Sequence, residues 1–285
     1  MDTKDVNSQA SHRGSGLKPP NILLLFADQH HADWVGSAGR IPVRTPNLDR
    51  LAREGVRFTG CRVPSPMCAP ARACLATGLL YRHVGVPTNR YDLDPDTHTF
   101  MKSLREVGYR AEVSGKTDLH KKSQLHGIDG WSQRLGRLGF TDAFDHAGKR
   151  DSPVTKGWPR PYEPYMCYMA DHDLAQIIHD DYAERARFEA DGNGVPVWPA
   201  PYQREHHIDD FGARAALRRL QRMPRGAPWF LQINFGSPHP PFDASPDLVD
   251  RYRDTVFPDP RHPADDPTDH QAVRRAYAAS IEGVD

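Results

Sequence analysis

The sequence predicts an α/β fold with a mainly parallel central sheet and helices on both of its faces. Three observations carry that reading. Residues 22–26 (Ile-Leu-Leu-Leu-Phe) form a continuous apolar run rather than an alternating one, the pattern of a strand buried on two sides, and 229–235 reads as another buried strand. Segments with helical punctuation, proline near the start and glycine at the stop, lie between such runs. Polar residues stand at the ends of these strands and of a third at 109–114, at Asp28, Lys116 and His239, and open parallel sheets bind ligands beyond the carboxyl ends of their strands.

Taken in order, the first strand covers residues 21–27 and stops at Asp28-Gln29. Thr45-Pro46 opens a helix by cap and first-turn chemistry, Leu48, Leu51 and Ala52 give it an apolar stripe, and Gly55 closes it. Residues 56–59 read as a short strand. A second helix starts near Pro70, a third runs over 99–107 with Gly108 as its stop, and 109–114 is a strand ending at Gly115-Lys116. Residues 117–210 mix Gly, Pro, Trp, Tyr and His with weak periodicity and read as extended loops with short helices. A helix over 209–223 and the strand at 229–235 follow, and from Gln271 to the end the pattern is again helical.

Composition bounds the function. Lys plus Arg equals Asp plus Glu at 37 each, so no global basic field points to nucleic acid, and any anion binding is local. The 26 prolines predict long ordered loops. No run approaches the length of a membrane span, and the polar first residues lack the apolar core of a signal peptide. The expectation is therefore a cytoplasmic protein without membrane partners, with a disordered segment at 1–18 and one domain over 19–285. The cysteines at 61, 68, 74 and 167 do not have zinc-knuckle spacing. Their positions leave a Cys61–Cys74 disulfide open.

The chemistry concentrates in residues 65–78, Ser-Pro-Met-Cys-Ala-Pro-Ala-Arg-Ala-Cys-Leu-Ala-Thr-Gly. One thiol, Cys68, stands just before a helix start, with Arg72 one turn on, an arrangement suited to an anion. Taken singly, Asp28 reads as a turn former, Cys68 as a small core residue, Lys116 as a solvated charge and His239 as a loop residue. Placed together at the carboxyl edge of one sheet, the five side chains Asp28, Cys68, Arg72, Lys116 and His239 read as one site.

Residues 65–78 resemble the Cys-x-Pro-(Ser/Ala)-Arg…Thr-Gly signature of the type I, formylglycine-dependent sulfatases of the alkaline phosphatase-like superfamily. Residues 20–29, 45–58, 104–116, 229–242 and 277–285 are similar to further sulfatase segments in the family order. The resemblance implies the N-terminal part of a sulfatase α/β domain and a sulfuric ester hydrolase acting on a sulfate monoester. It implies that a formylglycine-generating or equivalent maturation enzyme oxidises Cys68 to an aldehyde, whose hydrate attacks sulfur and is regenerated after a covalent sulfated intermediate. It also implies a divalent cation, calcium before magnesium, on Asp28, Gln29 and the modified Cys68. Arg72 then holds the formylglycine hydroxyls, Lys116 and His239 bind the sulfate oxygens, and His239 serves as acid to the leaving alcohol.

Three departures from the family pattern stand out. Gln29 replaces a second Asp. Asp118 stands where the family often has a histidine two residues after the lysine, which makes His120 a substitute sulfate ligand and obliges Asp118 to face away or pair with Lys121. The pairs Asp145-His146, Asp171-His172 and Asp269-His270 lack the glycine and preceding buried strand of the family's last metal ligands. The chain therefore reads as C-terminally incomplete. Three other readings stay open: a phosphonate or phosphate ester hydrolase of the same superfamily, a non-catalytic fragment, and an unmodified Cys68 acting as a low-pKa thiolate. Selectivity is expected within 117–210, where Trp131, Trp158, Tyr162, Tyr165, Trp198 and Tyr202 are available for stacking.

Overall fold

A computed structural model describes residues 18–152 and 163–259. The segment expected to be disordered, apart from Lys18, lies outside them, as do Trp158, Tyr162, Asp269-His270 and the helix expected from Gln271. The chain divides into two compact units: Met1–His30 with Phe58–Tyr252, and His31–Arg57 with Arg253–Asp285.

The larger unit is built on a four-stranded sheet of β1 (Ile22–Phe26), β2 (Arg110–Gly115), β3 (Asp142–Phe144) and β4 (Trp229–Asn234), in the order β1-β4-β2-β3. All three pairings are parallel, so the four carboxyl ends share one edge. Successive residues of β4 serve opposite faces, as strand geometry dictates. Phe230 joins the core formed with Ala69, Ala73, Met101 and Val113, whereas Leu231 and Ile233 pack with Ala216 and Met223. The first face is covered by α2 (Cys68–Thr77), α3 (Phe100–Glu106) and α4 (Gln133–Arg137), the second by α7 (Ile208–Arg222). Arg219 ties α7 to the sheet through Glu112 Oε2 at 2.7 Å and the Ala143 carbonyl at 2.6 Å.

Several expectations need correction. β1 is not buried on both faces: among the described residues it is an edge strand, and Leu23 and Leu25 are 46% and 47% exposed. Its apolar run marks a strand, but strand order, which the run does not encode, bears on its cover. Residues 56–59 form no strand. The stretch 117–210 is less loop-like than expected. It contains β3, α5 (Pro164–Asp171) and the 16-residue α6 (Ala175–Ala190). β3 also supplies Asp145-His146 with the preceding strand that the sequence did not reveal. Cys61 and Cys74 are free thiols, as is Cys68. Tyr165 and Tyr202 are core residues, and Trp198 packs edge-on against Phe188. No helix of the described residues is long and apolar enough to cross a membrane.

In the smaller unit, α1 (Pro46–Glu54) has Thr45 as N-cap and Pro46 in its first turn. Asp49 joins that helix to the preceding turn, accepting from Thr45 Oγ1 at 2.9 Å and from the Ser37 N–H at 2.6 Å.

Gly115 is the point where β2 hands over to Lys116. Its φ is +97°, and an added Cβ would lie 1.9 Å from the Asn234 carbonyl oxygen of β4. Gly115→Ala is therefore expected to lower the unfolding free energy by about 2–4 kcal/mol, read by urea denaturation. A loss below about 0.5 kcal/mol would contradict this packing.

Candidate active site

The carboxyl edge of the sheet gathers the charged residues. Asp28 follows β1, Lys116 follows β2, Asp145 follows β3, and His239 lies in the loop after β4. Cys68 is the first residue of α2, so the helix starts two residues earlier than Pro70 suggested and the thiol lies within it rather than just before it. Pro70 still falls in the first turn, where backbone N–H groups have no intrahelical partner. Asn89 Oδ1 takes one of those N–H groups, that of Ala69, at 3.0 Å.

Lys116 Nζ donates to Asp28 Oδ2 at 2.5 Å and lies 3.6 Å from Cys68 Sγ. Cys68 Sγ is 3.9 Å from Asp28 Oδ1, and Arg72 Nη2 is 3.4 Å from the same oxygen. Arg72 is clamped in place: Nη1 donates to the Lys116 carbonyl at 2.8 Å, and the guanidinium lies 4.8 Å from the Phe26 ring centroid. Lys116, Arg72 and Asp28 are all buried. Two loops meet at Asp28, whose N–H donates to the Ser237 carbonyl at 3.2 Å. His239 brings a ring nitrogen within 4.8 Å of the Asp28 and Cys68 ligand atoms.

Electrostatics set the protonation states. Burial raises the Asp28 pKa, but Lys116 and Arg72 more than offset it, and the carboxyl is held below its usual range. Burial likewise opposes the Lys116 charge, while Asp118 and Asp28 raise its pKa well above the ordinary lysine value. Burial pushes the Cys68 thiol up against the pull of Lys116. An unmodified Cys68 is thus a neutral thiol, which removes the support for the low-pKa thiolate reading. His239 is lowered, first by burial and then by Lys116. Its Nδ1–H donates to the Pro240 carbonyl at 2.6 Å, which leaves Nε2 as the ring's acceptor.

The His239 loop is anchored from outside the cluster. Asp209 Oδ1 accepts from the Gly236 N–H at 2.7 Å. Asp243 accepts from Lys149 Nζ at 2.5 Å and from Tyr182 Oη at 2.7 Å. Neither anchor was read from the sequence, and no local pattern marks them, because the partners stand far apart in the chain.

His120, expected as a sulfate ligand, does not join the Cys68 cluster. It is buried beside Asp145, donating Nε2–H to Oδ2 at 2.7 Å, while its Nδ1 accepts from the Leu125 N–H at 3.2 Å. His126 Nδ1 approaches the same oxygen at 3.2 Å, and Thr117 N–H and Oγ1 donate to Asp145 at 2.9 and 3.1 Å. These groups satisfy one another. Since the Leu125 N–H fixes the His120 proton on Nε2, the atom facing Asp145 is a donor, and the trio reads as a hydrogen-bonded pin for the loop after Lys116 rather than as a metal site.

Asp28, Cys68 and His239 form a second candidate group for a cation. They do not by themselves fit a calcium-type ion. Such an ion takes about six to eight oxygen ligands, whereas this group offers one carboxylate, already paired with Lys116, together with an imidazole and a thiol. Gln29 is exposed at φ +60°.

A parallel α/β sheet that presents a cysteine, an arginine, a lysine, a histidine and a carboxylate at one edge is suited to handling an anion. The chain belongs to the sulfatase family, whose model matches residues 20–285. It is 25% identical over 275 residues to an N-acetylglucosamine-6-O-sulfatase of Bacteroides thetaiotaomicron, covering 96% of this chain and 40% of that protein. It is 28% identical to a choline-sulfatase of Rhizobium meliloti, covering 82% and 41%. Its fold is similar to that of a phosphonate monoester hydrolase of Agrobacterium radiobacter, with a TM-score of 0.59, 24% identity, and coverage of 85% of this chain and 45% of that one. The chain thus spans less than half the length of these relatives.

Burial opposes the His126 charge, but Asp145 raises its pKa above 6.5. The resulting stabilisation is present below the unfolded-state value and fades as pH rises through the folded one. His126→Gln is therefore expected to destabilise the protein more at pH 6 than at pH 9. Urea melts at both pH values check this, and an equal loss would contradict it.

Proposed function

We propose that this chain carries the nucleophile side of a sulfatase site that hydrolyses a sulfate monoester, with Cys68 converted to formylglycine by a maturation enzyme. The observation that supports it most is the placement of Cys68 at the start of α2, between Asp28 and the buried cations Lys116 and Arg72. As a neutral thiol, Cys68 is a weak nucleophile. The hydrated aldehyde supplies the hydroxyl nucleophile that the thiol lacks.

The chain's own residues then divide the work. Lys116, held protonated, faces the sulfate oxygens and stabilises the charge that gathers on them as the ester bond breaks. Arg72 fixes the residue at position 68 and the Asp28 carboxylate relative to each other. Asp28, held ionised, accepts a hydrogen bond from that residue and orients it. His239 stands beside Asp28 and Cys68 and, when protonated, donates to the leaving alcohol. A divalent cation, with calcium as the expectation, belongs to this reading but needs ligands beyond those described.

The mass of the tryptic peptide 63–72, together with turnover of phenyl sulfate, tests the reading. The expected result is an aldehyde at position 68 in protein from a host with the maturation machinery, with turnover reduced more than about 1,000-fold in Cys68→Ala. An unmodified thiol in such a host would overturn it. A strong preference for a phenyl phosphonate ester would move the chain to phosphonate hydrolysis.

A further inference from the structure

Asp118 is a charged residue beside Lys116 and Arg72 to which the reaction above gives no task. It is buried at 6% exposure and adopts φ +50°, a left-handed conformation uncommon outside glycine. Its carboxylate lies among three cations. Oδ2 is 3.2 Å from Lys116 Nζ and 3.9 Å from Arg72 Nε, and Oδ1 is 3.2 Å from Lys121 Nζ. Despite its burial, Oδ2 accepts no hydrogen bond, and Arg72 Nη2 likewise makes none. Asp118 is thus hydrogen-bonded to Lys121 through Oδ1, while Oδ2 faces Lys116 and Arg72 by charge alone.

Local charge follows from this arrangement. Arg72, Lys116 and Lys121 face Asp28, Asp118 and Asp151, so cations and carboxylates balance. Without Asp118 the same pocket carries a net positive charge. Burial opposes the Asp118 charge, but Lys116, Lys121 and Arg72 hold its carboxyl well below the usual range. The negative charge is thus a fixed feature at neutral pH. It is also felt at Cys68, where Asp118 is among the groups raising the thiol pKa.

We propose that Asp118 is a built-in counter-anion that makes the pocket discriminate by charge, admitting singly charged sulfate esters and disfavouring the doubly charged sulfate ion. The inference rests on the sulfate-ester reading and adds a specificity-determining residue to it. A sulfate monoester carries one negative charge in neutral water, and the released sulfate carries two. A carboxylate fixed beside Lys116 repels the second form more than the first, so the residue favours substrate over product and promotes product release.

Titration calorimetry of the full chain with methyl sulfate and with sodium sulfate tests this at constant ionic strength, comparing wild type, Asp118→Asn and Asp118→Glu. Neither probe requires an aldehyde at position 68, so the result is independent of turnover. Asp118→Asn is expected to tighten sulfate binding at least about tenfold and methyl sulfate binding less than about threefold. Asp118→Glu, which keeps the charge, is expected to retain the wild-type preference. Equal changes for both anions, no change for either, or no measurable binding by any of the three proteins would overturn the proposal. Turnover of phenyl sulfate with unchanged anion preference in Asp118→Asn would defeat this inference while leaving the sulfate-ester reading intact. Charge discrimination without turnover would do the reverse.

Discussion

The ion pair between Lys116 and Asp28 is the interaction on which this edge of the molecule depends. Both groups are buried, and removing one partner of such a pair leaves an uncompensated charge at a cost of about 3–5 kcal/mol. The pair joins the end of β2 to the end of β1 across β4, which lies between them in the sheet. Arg72 completes the link by bonding the Lys116 carbonyl and facing the Asp28 carboxylate. Cys68 then has a defined place, because α2 carries both it and Arg72.

The same concentration of charge explains what this region asks of its surroundings. Asp28, Asp118 and Asp151 pair with Arg72, Lys116 and Lys121 around this edge, so these charges are met by one another. Lys121 divides itself between Asp118 and Asp151. Asp145 pairs with His126 and accepts hydrogen bonds from His120 and Thr117, which pins the loop that follows Lys116. The His239 loop is tied by Asp209 and Asp243 from another direction. The site is held by a chain of charge pairings between loops, laid on a sheet whose apolar faces supply the rigidity.

Much of this was legible in the sequence for physical reasons. β4 announced itself as a mainly apolar run of strand length, and α2 because Pro70 suits the first turn of a helix. Polar residues at the ends of such strands marked the edge where Asp28, Lys116 and His239 stand. The three residues of β3 are too short to show a period, so the strand preceding Asp145 stayed hidden, and with it the partner that claims His120. The edge position of β1 was equally invisible, since strand order depends on contacts far apart in the chain. The sequence offered two placements for Asp118, facing away or pairing with Lys121. The fold pairs it with Lys121 and also with Lys116 and Arg72, which only tertiary placement could reveal.

A double-mutant cycle on Asp28→Asn and Lys116→Met, read by urea unfolding, is the most direct test of this dependence. The account predicts a coupling of more than about 1 kcal/mol, with the double variant more stable than the sum of the single losses implies. Additive losses within about 0.3 kcal/mol would show that the two residues act independently, and would contradict the claim that their pairing organises the site.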